Sequence, residues 1–416
     1  MSAIREVRDI RDARDVRGLW EAYEAAVARR SRREGGTGFA DFTGRLFEHL
    51  PRTDQQRWGH VYLHGLLATP GKKSVRRMAE TVTSSPTASQ SLQQFVNASP
   101  WEWEATRREL AAWAGERMDT RAWTLAPAIL PKRGAHSAGV HRRFVREQGR
   151  TVNCQLGLGL FLAGDAGQVP VDWRLHLPER WTADEDLRRR ARIPEGTSSQ
   201  ALWAQALDLV ESLAAQPGVV RAPVVADLTT VTDVRPLVER LHGRGHGFVL
   251  AVSGQLPLGP EPGAARAHRE PAPPVSARQL LLQGGTRHPD AAVTPGADGR
   301  LRRVQVVSSP TEIVGLRPGG GRLTSAGRVF AEWNSGRQRL DRVWLTNLPG
   351  HRMADLLALA ELHTGTLATV AALGEHYGLL DFEGRSFPGW HRHTTLVSAA
   401  HAYQVLSRTA ARREAA

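Results

Sequence analysis

Residues 151–178 read TVNCQLGLGLFLAGDAGQVPVDWRLHLP, and this stretch gives the strongest indication of the fold. The apolar segments at 151–163 and 169–178 are typical of two β-strands, and the glycine-containing residues between them favour a hairpin turn. TRAWTLAPAIL, at residues 120–130, predicts a further strand before this pair. Three strands in succession predict a meander.

Downstream of the meander, the pattern changes to alternating helices and strands. A helix is expected at about 199–215, a short buried strand at 222–227, a second helix at about 233–243 and a fifth strand at 245–253. The order β-β-β-α-β-α-β predicts an α/β fold with a mixed five-stranded sheet flanked by helices. This is the element order of a ribonuclease-H-like fold.

The remaining segments suggest four regions. Residues 1–116 are predicted to form an all-helical N-terminal domain with a candidate role in DNA binding. Residues 117–254 form the first part of the core, and 255–350 a Pro- and Gly-rich loop followed by a β-rich insertion. C-terminal helices at 351–416 complete the core. The charge-rich segment at 3–34 predicts a solvated helix without a specific role.

Composition limits the class of protein. Of the 416 residues, 41% are hydrophobic, which is enough for a packed core and argues against disorder. The single cysteine, Cys154, excludes a disulfide framework and a cysteine-based zinc site, and we expect it in the core. No apolar stretch approaches 18 residues, so no membrane-spanning helix is expected. The charged start lacks the apolar segment of a secretory signal, which favours a cytoplasmic, nucleoid-associated location.

The net charge of +13 favours a polyanionic partner, usually a nucleic acid. The alternative is biased codon usage, because only Lys72, Lys73 and Lys132 are lysines among 55 basic residues. Arginine binds phosphate and guanine in a forked geometry, so this bias does not weaken the nucleic-acid interpretation.

Five segments together resemble a known family. They are LPKRGAHSAGVHRRF (130–144), GRTVNCQLGLGLFLA (149–163), VDWRLHLPERW (171–181), VWLTNLP (343–349) and DFEGRSFPGWHRHTTLV (381–397). In order and spacing they resemble the bacterial DDE-type insertion-sequence transposases, over about residues 39–408. The resemblance implies a ribonuclease-H-like core, a double-stranded DNA partner and two divalent metal ions.

In this family three acids hold the metal ions: an Asp on the first strand, an Asp that ends the fourth strand and a Glu on a late helix. The matching positions here are Ala126, Asp227 and Leu367. Only Asp227 is a carboxylate, and one carboxylate cannot hold two Mg²⁺ ions. We therefore expect a vestigial Asp227, no catalytic residues, no metal site and no cofactor.

Two other interpretations of the acids stay open. Asp227 is alternatively an ordinary cap or turn residue at the end of its strand. Asp381 or Glu383 could replace the lost Glu, although they lie 14 and 16 residues beyond Leu367. That separation is about 21 Å along a continuous helix.

Three basic groups are candidate DNA contacts, because cationic side chains neutralise phosphates. In chain order they are Lys72, Lys73, Arg76 and Arg77; then Lys132, Arg133, His136, Arg142 and Arg143; then Arg385, His391, Arg392 and His393. Alternatively, the last group supports the structure: Arg385 and Trp390 would then be structural residues, with Trp390 in the core. Gln93, Gln94 and Asn97 either read bases or simply form a helix surface.

These observations predict a catalytically inactive, domesticated transposase-like protein that binds double-stranded DNA in a regulatory, architectural or targeting role. The resemblance also suggests a homodimer or a larger protein complex, and no membrane partner is expected. One alternative is an active transposase with nonstandard metal ligands, which would need other carboxylates close to Asp227. Another is a protein-interaction module that no longer binds DNA. A decaying gene product without a role is the last alternative.

Overall fold

Five helices open the described part of the chain, which comprises residues 38–259, 273–284, 290–296, 300–334 and 339–414 of this computed structural model. They are α1 (Phe39–Phe47), α2 (Thr53–Ala68), α3 (Val75–Val82), α4 (Ala88–Asn97) and α5 (Trp103–Gly115). This agrees with the helical prediction for residues 39–116. The charged helix predicted at 3–34 lies outside the described residues.

Twelve strands follow in the described segments. They are β1 (Ala122–Pro131), β2 (His141–Val145), β3 (Arg150–Gly164), β4 (Gly167–Leu175), β5 (Val224–Ala226), β6 (Phe248–Val252), β7 (Pro257–Leu258), β8 (Val275–Ser276), β9 (Asp290–Pro295), β10 (Leu301–Leu316), β11 (Arg322–Asn334) and β12 (Arg339–Thr346). The helices among and after them are α6 (Glu179–Ala183), α7 (Glu185–Ala191), α8 (Leu202–Ala214), α9 (Arg235–Gly243), α10 (Ala277–Gly284), α11 (Met353–His376) and α12 (Phe387–Glu414).

The five predicted core strands are β1, β3, β4, β5 and β6. β3 pairs antiparallel with β1 and β4, whereas β1 pairs parallel with β5, and β5 with β6. This mixed sheet with flanking helices is the ribonuclease-H-like arrangement that the element order predicted.

The sheet is nevertheless larger than the five strands expected. Ten strands share it, in the order β2-β3-β1-β5-β6-β12-β11-β10-β9, with β4 also on β3. The predicted β-rich insertion adds four of them, because β12 pairs antiparallel with β6 from Val343–Val252 to Thr346–Val249. β2, in a segment predicted to be a loop, forms the edge strand next to the first half of β3.

The alternation in QLGLGLFL sets the packing on both faces of β3. Leu156, Leu158 and Leu160 are buried on one face. Gly157 and Gly159 occupy the other face, where a Cβ on Gly157 would lie 3.0 Å from Trp390 and a Cβ on Gly159 2.9 Å from Trp173. The glycines therefore make room for two buried indoles, and α12 can approach the sheet closely. Trp390 is a core residue, as the structural interpretation expected.

Pro127 does not disturb β1, although a proline removes one ladder hydrogen bond. The β1–β3 register runs without a shift from Ala122–Ala163 to Pro131–Cys154. The parallel pairing of β1 with β5 ends at Leu125–Ala226. Pro127 lies two residues beyond that last pair, so no backbone N–H is needed there for pairing with β5. The register of β1 with β3 is therefore continuous through Pro127.

The N-terminal helices share one core with the C-terminal helix α12. Tyr62 on α2 bonds through its hydroxyl to Nδ1 of His393 on α12 at 2.9 Å. Phe42 on α1 stacks on Tyr403 at a ring separation of 5.3 Å. The helical region is thus packed against the end of the chain.

Among the described residues, helix α11 is long and apolar enough to cross a membrane, by length and composition alone. The expectation that no apolar stretch approaches 18 residues is therefore wrong for α11. In this fold Leu356, Leu359 and Ala360 pack with Val225 and Val249 of the sheet, which is how the core helix of a soluble domain also behaves.

Candidate functional site

Asp227 directly follows β5 and lies beside Ala126 of β1. The parallel register pairs Leu125 with Ala226, so the next residues along the two strands, Ala126 and Asp227, are neighbours. Ala126 is fully buried and offers only a methyl group. The carboxylate of Asp227 therefore has no acidic neighbour at this position of β1.

Both oxygens of Asp227 are engaged within the protein. Oδ2 lies 2.7 Å from Nε of Arg342 on β12. Oδ1 accepts hydrogen bonds from the backbone N–H of Thr229 at 3.1 Å and from its hydroxyl at 2.6 Å. An aspartate that accepts from the N–H two residues later shapes the turn after its strand. Asp227 thus acts as a turn residue and as half of an ion pair.

His363 of α11 lies within electrostatic range of both members of this ion pair. It is 1% exposed, and burial lowers its pKa to about 4, partly opposed by the charge of Asp227. Within the described residues neither ring nitrogen has a hydrogen-bond partner. The ring meets Trp344 edge-on at 6.4 Å, and the Arg342 guanidinium lies 5.6 Å from the Trp344 ring centroid. The electrostatic neighbour of Asp227 on α11 is therefore a neutral histidine.

Leu367, the position predicted from the sequence to match the family's Glu, lies one turn beyond His363 and is 39% exposed. The intervening Thr366 bonds to Thr124 of β1 at 2.6 Å, which fixes this part of α11 on the sheet. The helix turn beside Asp227 thus provides imidazole, hydroxyl and alkyl groups, and no carboxylate.

The residues around Asp227 do not fit a pair of divalent ions. Mg²⁺ takes oxygen ligands and is held in proteins by one or two carboxylates together with waters and substrate phosphates, so a pair of ions needs more than one carboxylate. Here one carboxylate is paired with a guanidinium, and the neighbouring strand position is a methyl group. In the described parts of the chain, no group of three or more His, Cys, Asp or Glu side chains is placed to hold a metal ion.

Asp381 and Glu383, the proposed replacements for the Glu, make contacts elsewhere. Asp381 accepts a hydrogen bond from the backbone N–H of Lys73 at 2.7 Å. Glu383 forms an ion pair with the ammonium of Lys72 at 2.8 Å. Their carboxylates thus hold the loop before α3, and the contacts of Asp227 include neither of them.

The same contacts bring the three predicted basic groups together in one region. Lys72 is paired with Glu383 and lies within electrostatic range of Arg133. The carbonyl of Arg385 accepts from the backbone N–H of Ala138 at 2.9 Å, which joins the third group to the second. Arg192 adds a fourth cation, since its Nη2 donates to the Ser386 hydroxyl at 2.9 Å.

We call Lys72, Arg133, Arg192 and Arg385 the basic surface. All four side chains are exposed. Glu383 offsets part of the charge at Lys72. Exposed cations of this kind can neutralise the phosphates of a nucleic acid.

Four of the predicted DNA contacts are buried and lie outside the basic surface. Lys73 donates its ammonium protons to the carbonyl of Thr69, and burial lowers its pKa. His391 stacks on Trp103 at 4.9 Å, Arg392 donates to the carbonyl of Trp101 at 3.1 Å, and His393 is fully buried. A buried side chain cannot reach a phosphate, so we assign His391, Arg392 and His393 to the packing of α12 and Lys73 to the loop before α3.

The other predicted contacts are spread around the basic surface. Lys132 is half-buried and donates to the carbonyl of Phe382 at 2.7 Å, and burial lowers its pKa. His136 and Arg142 are exposed, whereas Arg143 is half-buried. Arg76 and Arg77 are exposed on α3, where Arg76 is paired with Glu80 at 2.8 Å. DNA contact by these six residues stays a prediction.

Two residues of the candidate site were not identified from the sequence. Arg192 belongs to the basic run RRRAR at 188–192, which is visible in the sequence but lies outside the three groups considered. Arg342 directly precedes the recognised segment at 343–349, and no local pattern pairs it with Asp227. Its role depends on β12 joining the sheet, which only the fold reveals.

The chain belongs to the DDE superfamily endonucleases, because the family model of that description matches residues 45–309. The mixed α/β sheet is the ribonuclease-H-like fold of such proteins. The matched part includes β1, β5 and Asp227 and ends before β12 and α11. No curated protein matches the chain.

Proposed function

We propose that this protein binds double-stranded DNA on a transposase frame and does not cut it. The observation that carries the proposal is the state of Asp227, whose carboxylate is held by Arg342 and Thr229 beside the methyl group of Ala126. A guanidinium places a positive charge where the family's chemistry needs a metal ion, and unlike a metal ion it cannot coordinate a water molecule and activate it as a nucleophile.

DNA binding is supported by the family and by the basic surface. A DDE endonuclease acts on nucleic acid, and the chain keeps a net charge of +13 with exposed cations from four segments gathered in one region. The protein would thus retain the phosphate contacts of its relatives without their chemistry. A protein that binds DNA without cutting it would have a regulatory, architectural or targeting role. We propose that it acts in the cytoplasm, on the chromosome.

The first experiment measures duplex binding by fluorescence anisotropy against salt concentration, with fragments from around the protein's own gene. Four phosphate contacts predict a fall in affinity on the order of 100-fold for a fourfold rise in salt. The double substitution Arg133→Ala and Arg385→Ala should weaken binding to every sequence and reduce the salt slope by about two counterions.

The matched control is Arg317→Ala with Arg322→Ala, which removes the same charge from the exposed turn between β10 and β11. If both pairs weaken binding equally, the net charge and not the basic surface is responsible. A wild-type protein that binds no duplex at low salt would contradict the proposal.

The absence of cutting is tested on supercoiled plasmid with Mg²⁺ or Mn²⁺. We expect no nicked product from the wild-type protein. Nicking that is abolished by Asp227→Ala would show an active enzyme with nonstandard ligands and would refute this part of the proposal.

A further inference from the structure

Phe144 is the one exposed Phe, Trp or Tyr side chain among the described residues, with 60% of its surface accessible. It lies on β2, the edge strand of the sheet, in the hairpin that joins β2 to β3. The other Phe, Trp and Tyr side chains of the described segments are buried or half-buried. A phenyl ring that is exposed to solvent at a fixed position on the surface indicates a binding partner that covers it.

Arginines surround this ring. The hairpin segment 141–151 reads HRRFVREQGRT and has four arginines against one glutamate. Arg142, two residues before Phe144, shares its exposed side of β2, and Arg146 and Arg150 are exposed near the hairpin end. Across the ladder Phe144 faces the exposed Thr151. No described carboxylate pairs with these arginines.

This combination of a flat apolar group and flanking cations fits a nucleic-acid strand. A base has a π-face that stacks on an aromatic ring, and the phosphates on either side are anionic. An apolar protein surface is a poorer match, since covering Phe144 with it would also desolvate the neighbouring guanidinium groups without pairing them.

The hairpin is held in place beside the Asp227 turn. Arg143, on the opposite side of β2 from Phe144, donates to the carbonyls of Thr230 and Val231 at 3.3 Å each. At the base of the hairpin, the Asn153 amide donates to the carbonyls of Lys132 and Gly134 at 2.9 and 2.8 Å. These bonds fix Phe144 next to the segment that contains Arg133 of the basic surface.

We propose that Phe144 is a base-stacking residue for an unpaired base in bound DNA, with Arg142 and Arg146 on the flanking phosphates. This inference rests on the proposed DNA-binding function and adds the kind of DNA structure that is preferred. The protein would favour duplexes with a gap, bulge or frayed end over fully paired DNA.

The test compares two duplexes of the same sequence, one fully paired and one with a short bulge that contains 2-aminopurine. Wild-type protein should bind the bulged duplex at least about 10-fold more tightly, which is within the range of one base–aromatic stack. Stacking on Phe144 should also change the 2-aminopurine fluorescence. Phe144→Ala should lose both effects and keep its affinity for the paired duplex.

Two further variants distinguish stacking by the aromatic ring from a general hydrophobic contact. Phe144→Tyr keeps a stacking face and should behave as wild type, whereas Phe144→Leu should resemble Phe144→Ala. Because the side chain is exposed, all three variants are expected to fold, and thermal unfolding checks this.

Three outcomes would overturn the inference, and they are distinguishable. If wild type binds neither duplex, the proposed function fails together with the stacking role. If Phe144→Ala binds both duplexes as wild type does, with the same fluorescence, only the stacking role fails. If sedimentation shows a wild-type dimer that Phe144→Ala converts to a monomer, a second copy of the chain covers the ring instead of DNA.

Discussion

The guanidinium of Arg342 lies 2.7 Å from the carboxylate of Asp227, and this ion pair connects β12 to the turn after β5. The arginine side chain is 44% exposed and the aspartate side chain 12% exposed. The pair therefore lies at the rim of the sheet, and solvent screens much of its Coulomb energy.

Removing one partner of this pair should cost little stability. We expect Arg342→Ala to lower the free energy of unfolding by about 1 kcal/mol, because a partly exposed ion pair contributes no more than this. A double-mutant cycle with Asp227→Asn, measured by urea denaturation, should give a coupling energy of about 0.5–1 kcal/mol. A coupling energy near zero would mean that Thr229 alone holds the Asp227 carboxylate.

Arg107 should be far more important for stability than its neighbour Arg108. It is buried and donates to Asp172 at 2.8 Å and to the hydroxyl of Thr395 at 2.7 Å, which joins α5, β4 and α12. Arg107→Ala leaves Asp172 without this partner and should cost about 3–5 kcal/mol.

Arg108→Ala is the control for that experiment, because Arg108 is exposed and should change stability by less than about 0.5 kcal/mol. Chemical denaturation of the two variants measures the difference. Similar unfolding midpoints would show that the buried network is not what holds the helical region to the core.

Stability should fall as the pH is lowered from about 6.5 towards 4. Burial lowers the pKa of His401 to about 4, so below its ordinary pKa the unfolded chain binds a proton that the folded protein does not. This histidine alone should cost about 2 kcal/mol between about pH 7 and pH 5.

His401→Gln should therefore flatten the dependence of the unfolding free energy on pH. His376→Gln, at an exposed position near the end of α11, should leave it unchanged. The measurement is urea denaturation at several pH values. An equal slope in wild type and His401→Gln would show that His401 is protonated in the folded protein as well.

Two glycine-to-alanine substitutions should have opposite effects. A Cβ on Gly159 would lie 2.8 Å from the ring of Phe161 and 2.9 Å from that of Trp173, so Gly159→Ala should cost about 1–3 kcal/mol through overpacking. Gly44 lies inside α1, and no atom is within 4 Å of its added Cβ. Gly44→Ala should stabilise by about 0.5–1 kcal/mol through helix propensity. Thermal unfolding measures both, and a destabilised Gly44→Ala would contradict the assigned helix.

Much of the fold could be predicted because its signals are local. The alternation of Leu and Gly in β3, the hairpin turn before β4 and the apolar strand that ends at Asp227 each depend on neighbouring residues only. The extent of the sheet could not be predicted in this way. Whether β12 pairs with β6 depends on strands almost 100 residues apart, and hydrophobic alternation does not specify the partner of a strand.

The candidate site likewise has some features that the sequence determines and others that depend on the fold. By itself, the sequence determined that position 126 is an alanine, that Asp227 ends its strand and that the chain is strongly basic. Only the tertiary structure decided that Arg342 neutralises Asp227, that His391, Arg392 and His393 are buried, and that Phe144 is exposed among arginines. Charge and residue type are properties of the sequence, whereas burial and pairing depend on which distant segments pack together, and that is set by the whole core.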